Sequence, residues 1–220
     1  MTNRCWLLLS LFLALIAPMA QATCQRAQTP LVFIDMPIGN FRMERVPGMQ
    51  VAQAVQDYSG QKVSGATFFS PRTQLVIDLS TTPEGGFTDC VDIAAIRLLL
   101  TDPSPYFWVA EELPSGSCIE MELIAHENKH VAIYREVYGA FPSQAYGLVQ
   151  AAIADYPTLT NQGGAAQVRS TIESRIYGAI NPLLENLAAE ADMRNHAVDS
   201  FEEYERIRNS CDGSLNEYLR

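Results

Sequence analysis

The sequence predicts an α+β protein: a small N-terminal β-sheet, one helix carrying a histidine motif, and a helical C-terminal part. Three observations predict it. Short runs of branched and aromatic residues, bounded by turn residues, fill the first half of the chain. Apolar residues recurring every three or four positions fill the second half. Between them runs Cys118–Tyr134, which has a helical pattern and holds two of the chain's three histidines.

In chain order, Leu31-Val-Phe-Ile34 is the first expected strand. Ala66-Thr-Phe-Phe69 and Gln74–Asp78 flank a turn at Ser70-Pro71-Arg72-Thr73 and read as a hairpin. Asp92 to Leu100 reads as a short helix. Tyr106-Phe-Trp-Val-Ala110 is a strand rich in aromatic and branched residues. Phe107 to Glu111 is the best candidate for an open sheet edge able to hold an extended peptide, and its aromatics read equally well as core. Pro114-Ser-Gly-Ser117 turns the chain into the motif helix. Ser143–Tyr156 is the next helix. Val168, Ile172, Ile176 and Ile180 mark another. Asn181-Pro182 reads as a break and a new start, with Asn as cap and Pro in the first turn. Leu183, Leu184, Leu187, Ala188 and Ala191 then form an inward face. Ser200-Phe-Glu-Glu203 fits a capping box and opens a last helix through Arg208.

The N-terminus reads as a secretory signal over residues 1–22. Arg4 supplies the positive start, Trp6–Ala17 an apolar run too short to span a bilayer, and Ala20-Gln21-Ala22 a small-residue cleavage site. Residues 23–220 are expected to form a single soluble domain with no later membrane span, secreted to the periplasm or the exterior. Cysteine usage agrees, since Cys24, Cys90, Cys118 and Cys211 remain after cleavage. Three pairings are possible. Cys90 with Cys118 and Cys24 with Cys211 is the favoured one; the wide spacing argues against cysteine ligation of a metal. The net charge is −10, and loss of Arg4 leaves −11. That argues against nucleic acid or an anionic membrane as main partner.

The chemistry concentrates at His126-Glu127-Asn128-Lys129-His130, an H-E-x-x-H motif. On a helix, residues four apart share a face, so both imidazoles reach one ion. Glu127 then lies beside the open position, placed to take a proton from a zinc-bound water. Lys129 is charged and is expected to face solvent. The bland reading is an amphipathic helix with two polar residues on one face. A catalytic zinc site has three protein ligands and one open position. Glu190 continues the stripe Leu183, Leu187, Glu190, Arg194 and is the first candidate for the third ligand. Its ordinary alternative is an ion pair with Arg194. His196 is the second candidate, with Asp192 four residues before it as an orienting partner. Glu173 is a further one. Asp199 reads as part of the turn before the Ser200 cap.

Cys118–Tyr134 resembles the zincin metallopeptidases, whose H-E-x-x-H helix lies beneath the edge strand of a small sheet. Tyr106–Tyr134, with a weaker match at Val198-Asp-Ser-Phe-Glu-Glu-Tyr204, is similar to bacterial secreted chains described as zinc-dependent proteases of unknown substrate. The resemblance implies His126 and His130 as zinc ligands and Glu127 as general base in a secreted endopeptidase acting on polypeptides. No x-x-G-x-x-H follows His130, so the metzincin pattern is absent, and no clear E-x-x-x-D helix appears. Tyr134, Tyr138, Tyr204 and Arg194 are the candidates to stabilise an oxyanion. Two other readings stand beside this one: a non-catalytic zinc-binding protein of the cell envelope, and a metal-dependent amide hydrolase acting on cell-wall material.

Overall fold

A computed structural model describes residues 29–56, 62–83, 89–156 and 164–218. The expected secretory signal, its cleavage site and Cys24 lie outside these residues. The fold is α+β, as expected, but its strands form two three-stranded sheets. The first holds β1 (Leu31–Asp35), β4 (Arg72–Pro83) and β5 (Asp89–Thr101) in the order β1-β5-β4. The second holds β2 (Arg42–Val46), β3 (Gly65–Phe68) and β6 (Tyr106–Ala110) in the order β2-β6-β3. In each sheet the central strand has one parallel and one antiparallel neighbour. The helices are α1 (Gly48–Ala54), α2 (Cys118–Gly139), α3 (Phe141–Ala152), α4 (Ala165–Val198), α5 (Phe201–Asn209) and α6 (Leu215–Tyr218).

The motif helix α2 joins the two halves. Its early residues Ile119 and Leu123, with Val131, pack on β6 and Ile207 in one core cluster. Its later residues Ile133, Val137 and Tyr138 pack in the larger cluster with the first sheet, α3 and α4. The histidine turn lies where the helix passes from one cluster to the other. Ser117 caps α2, its Oγ accepting from the Glu120 backbone N–H at 3.3 Å, while Glu120 accepts from Gly116 N–H at 2.5 Å. Glu120 is buried and ion-paired with Arg45 of β2, which fastens the start of α2 to the second sheet.

Four expectations about the elements are corrected. Asp92–Leu100 is strand, not helix. A β-bulge lets Asp78 pair with Ala95 and Leu79 with Ile93, so Ala94 is skipped. The buried phase therefore jumps, and Ile93, Ile96 and Leu100 fall at spacings of three and four that imitate a helix. The expected hairpin at Ser70–Thr73 is a crossing between sheets, because β3 and β4 belong to different ones. The Ser70 N–H is taken by buried Asp102 at 2.7 Å, which holds the crossing. Asn181-Pro182 does not break α4, which runs through with Pro182 inside it. An interior proline costs about 3 kcal/mol. Burial of Val168, Ile172, Ile176, Ile180, Leu183 and Leu187 along one continuous stripe, at roughly 1.5–3 kcal/mol each, exceeds it. Finally, among the described residues β6 is the central strand of its sheet and β3 an outer one, so the outer strand near the motif is Gly65–Phe68 rather than Phe107–Glu111.

The disulfide pairing also differs from the favoured one. Cys118 pairs with Cys211, their Cα atoms 5.8 Å apart. Cys90 is disulfide-bonded too, and not to Cys118. The reason is positional: Cys90 begins β5 in the first sheet, whereas the start of α2 packs on the second, beside the end of α5. Among the described residues no helix is long and apolar enough to cross a membrane. That and the disulfide are compatible with an extracellular or periplasmic location.

Candidate metal centre

His126 and His130 stand one turn apart on α2 and are both buried, as the motif spacing requires. The third group is Asp199, in the turn after α4. Its Oδ1 lies 3.2 Å from His126 Nε2 and 3.1 Å from His130 Nε2, and the two Nε2 atoms are 3.3 Å apart. Two imidazoles and one carboxylate form the one cluster of this kind among the described residues. Zinc–ligand bonds of about 2.0–2.2 Å at tetrahedral angles space ligand atoms by roughly 3.3–3.5 Å. The three donor atoms are spaced close to that, so the donor set and its dimensions fit zinc.

The outer ring nitrogens have side-chain partners of their own. His130 Nδ1 faces Asn195 Oδ1 at 2.9 Å, and His126 Nδ1 faces Glu203 Oε1 at 3.4 Å. With a metal on Nε2, each ring would carry its proton on Nδ1 and direct it at these partners. The two Nε2 atoms and the Asp199 carboxylate oxygen lie within 3.1–3.3 Å of one another, a group that could hold a metal ion. Lys129 is half exposed, and its Nζ donates to Glu203 at 2.6 Å rather than standing free. Arg206 holds the same carboxylate, with Nε and Nη2 each at 2.9 Å.

Glu127 is 2% exposed. Its neighbours come from the outer strand. Thr67 Oγ1 donates to Glu127 Oε2 at 2.7 Å, and Gly65 leaves the room that Oε1 occupies. Burial raises the Glu127 pKa, outweighing the Thr67 hydrogen bond and the nearby histidines. Burial acts to raise Asp199 too, but hydrogen bonds from both histidines and their charge hold it well below the usual carboxylate range. Burial acts to lower His130, yet hydrogen bonds to Asp199 and Asn195 and the charges of Asp199 and Glu127 leave it raised. Glu203 is held low, chiefly by Arg206. The Tyr204 phenol is pushed up to about 12, first by burial and then by Asp199.

His126, Glu127, His130, Asp199 and Tyr204 line a cleft of about 290 Å³ whose other walls include the apolar Leu123, Ile207 and Leu215. The residues expected as third ligand stand elsewhere. Glu190 is 50% exposed and lies 3.6 Å from Arg194, in the ordinary i, i+4 pair. Because α4 stays helical to Val198, His196 is carried onto the exposed face, and the chain delivers Asp199 instead. Glu173 is half-buried on α4 and outside the metal cluster. Asp199, Asn195, Glu203 and Thr67 were not expected as site residues from the sequence. Three of them lie within Asn195–Glu203, and the weaker Val198–Tyr204 match was the only signal pointing there. No protein-family model, curated protein or solved structure matches this chain.

Proposed function

We propose that this chain is a secreted zinc-dependent endopeptidase, with His126, His130 and Asp199 as ligands. The observation that carries the reading is the convergence of those three donor atoms beside the buried Glu127 carboxylate, in a cleft walled by a terminal strand. Zinc held there lowers the pKa of a water and polarises the carbonyl to be attacked. Glu127 takes the proton of the attacking water and returns it to the leaving amine. Tyr204 is the residue best placed to donate to the oxyanion. Its ring centroid is 6.1 Å from that of His126, it lines the cleft, and its phenol keeps its proton at neutral pH. Arg194 is tied to Glu136 at 2.6 Å and Tyr138 is in the core, while Tyr134 lines the cleft against Phe69. The outer side of β3 offers main-chain groups to an extended peptide.

Two observations favour this over the other readings. Among the described residues three protein ligands meet, one fewer than the four that close a structural zinc site. A terminal strand beside the site suits a peptide better than a small cell-wall amide. The test compares purified wild type with Glu127→Gln. Both are expected to hold one zinc per chain, and only the wild type to cleave an unfolded polypeptide such as casein. No zinc in the wild type after incubation with the ion, or full activity in Glu127→Gln, would overturn the proposal.

A further inference from the structure

We infer that Thr67, with Gly65, is the positioning device for Glu127, so that the strand walling the cleft also aims the base. The inference rests on the peptidase reading for its catalytic meaning and on geometry for its existence. Thr67 and Gly65 lie two apart on β3 and therefore face the same way, toward α2. Each meets a different oxygen of one carboxylate. Thr67 Oγ1 is 2.7 Å from Glu127 Oε2 and 3.5 Å from the Glu127 carbonyl oxygen, so its single proton goes to the nearer side-chain oxygen. Gly65 sits under the other oxygen: a Cβ there would stand 2.6 Å from Oε1 and 3.0 Å from the Trp108 carbonyl oxygen. Side-chain carbon cannot occupy that space unless Glu127 moves, because the backbone of central strand β6 closes the opposite side.

A glutamate on a helix has three rotatable bonds, and its two neighbouring histidines fix the helix face but not those torsions. A base has to lie within about 2.6–3.2 Å of the proton it takes, and a displacement of about 1 Å costs on the order of 10²-fold in rate. Thr67 supplies the missing constraint. It engages Oε2, while the missing side chain of Gly65 makes room for Oε1, so both oxygens are placed from β3. Among the described residues neither hydrogen-bonds the histidines or Asp199, so the device acts through Glu127.

The experiment uses full-length mature protein loaded with zinc, in four forms: wild type, Thr67→Val, Thr67→Ser and Gly65→Ala. Valine keeps the shape of threonine and removes the donor. Thr67→Val is expected to lower kcat on a casein-derived fluorogenic peptide by about 10–100-fold, with KM within a factor of two and one zinc per chain retained. Thr67→Ser should recover most of the loss, because it restores the hydroxyl. Gly65→Ala should lose kcat like Thr67→Val. Crystal structures of the zinc-loaded forms supply a readout independent of turnover: Glu127 in one conformer in wild type and Thr67→Ser, and displaced or in several in Thr67→Val. Full kcat and an unmoved Glu127 in Thr67→Val would overturn the inference. So would a Thr67→Ser form as impaired as Thr67→Val, since packing would then be the cause. A wild type that binds zinc but cleaves nothing would sink the peptidase reading, while the Glu127 conformers would still decide whether Thr67 aims the carboxylate.

Discussion

Replacing Asp199 should weaken zinc binding far more than replacing either residue that the sequence favoured. Asp199 Oδ1 lies 3.1–3.2 Å from both imidazole nitrogens, so it supplies the third corner of the site. Structural zinc sites with four protein ligands bind with an apparent 10–16 kcal/mol, or roughly 2.5–4 kcal/mol per ligand. Loss of one ligand therefore predicts about 10²–10³-fold weaker affinity for Asp199→Ala. Asp199→Asn keeps the shape and loses the charge, and should fall between the two. Glu190→Ala and His196→Ala remove exposed groups that contact neither histidine, and should change the dissociation constant by less than about twofold. The assay is competition with a chelator of known affinity, run beside circular dichroism of the metal-free proteins so that misfolding is not read as weak binding. Asp199→Ala within threefold of wild type, or a large loss in Glu190→Ala, would refute the ligand assignment.

Three further outcomes follow from the same structure. Because the metal-free His130 pKa is raised above 6.5, zinc has to displace its proton at and below neutrality. Affinity should fall as pH drops from 8 to 6, by up to about tenfold per unit for each proton displaced, and a pH-independent dissociation constant would contradict this. Removing the Cys118–Cys211 bond with a double alanine substitution frees a loop with a sequence separation of 93. Chain entropy sets an upper limit of roughly 4–5 kcal/mol, with 2–4 kcal/mol typical, so calorimetry should show Tm lower by about 5–15 °C. Breaking the Arg45–Glu120 pair by Glu120→Ala leaves the half-buried guanidinium with only the Glu111 and Leu113 carbonyls and also removes the carboxylate that accepts from Gly116. Chemical denaturation should register a loss of about 3–5 kcal/mol, and a change below 1 kcal/mol would show that the pair is not coupled to the fold.

How far the fold was legible depended on how local its causes were. The motif helix declared itself through the Ser117 cap, the apolar spacing and the histidines, all within one segment. Ser200 and Glu203 announced α5 in the same way. Elements that depend on a distant partner were misread. The bulge that makes β5 look helical exists only because β4 pairs with it out of step, and nothing inside Asp92–Leu100 reveals that. Pro182 carries a strong local stop signal, overridden by a buried stripe that continues on both sides of it. The two sheets could not be separated by pattern either, because Ser70-Pro71 suits a hairpin turn as well as the crossing that Asp102 stabilises from thirty-two residues away.

The site divides along the same line. His126, Glu127 and His130 were legible because one helix turn sets their mutual geometry. The third ligand was not, because its position depends on where α4 stops. If α4 broke at Pro182, the phase of everything after it would be uncertain, and Glu190 and His196 would compete on equal terms. With α4 continuous, Leu183, Leu187 and Ala191 fix the inward face, Glu190 and His196 fall on the exposed face, and the helix ends one residue before Asp199. The turn that made Asp199 look like a mere connector brings it to the histidines. Asn195, one turn earlier, already faces His130, and the Asp199 backbone N–H donates to the Asn195 carbonyl at 3.0 Å. The last turn of α4 thus presents an orienting carboxamide and a ligand carboxylate to the same ring. A helix that overrides its own proline is therefore part of the candidate metal site.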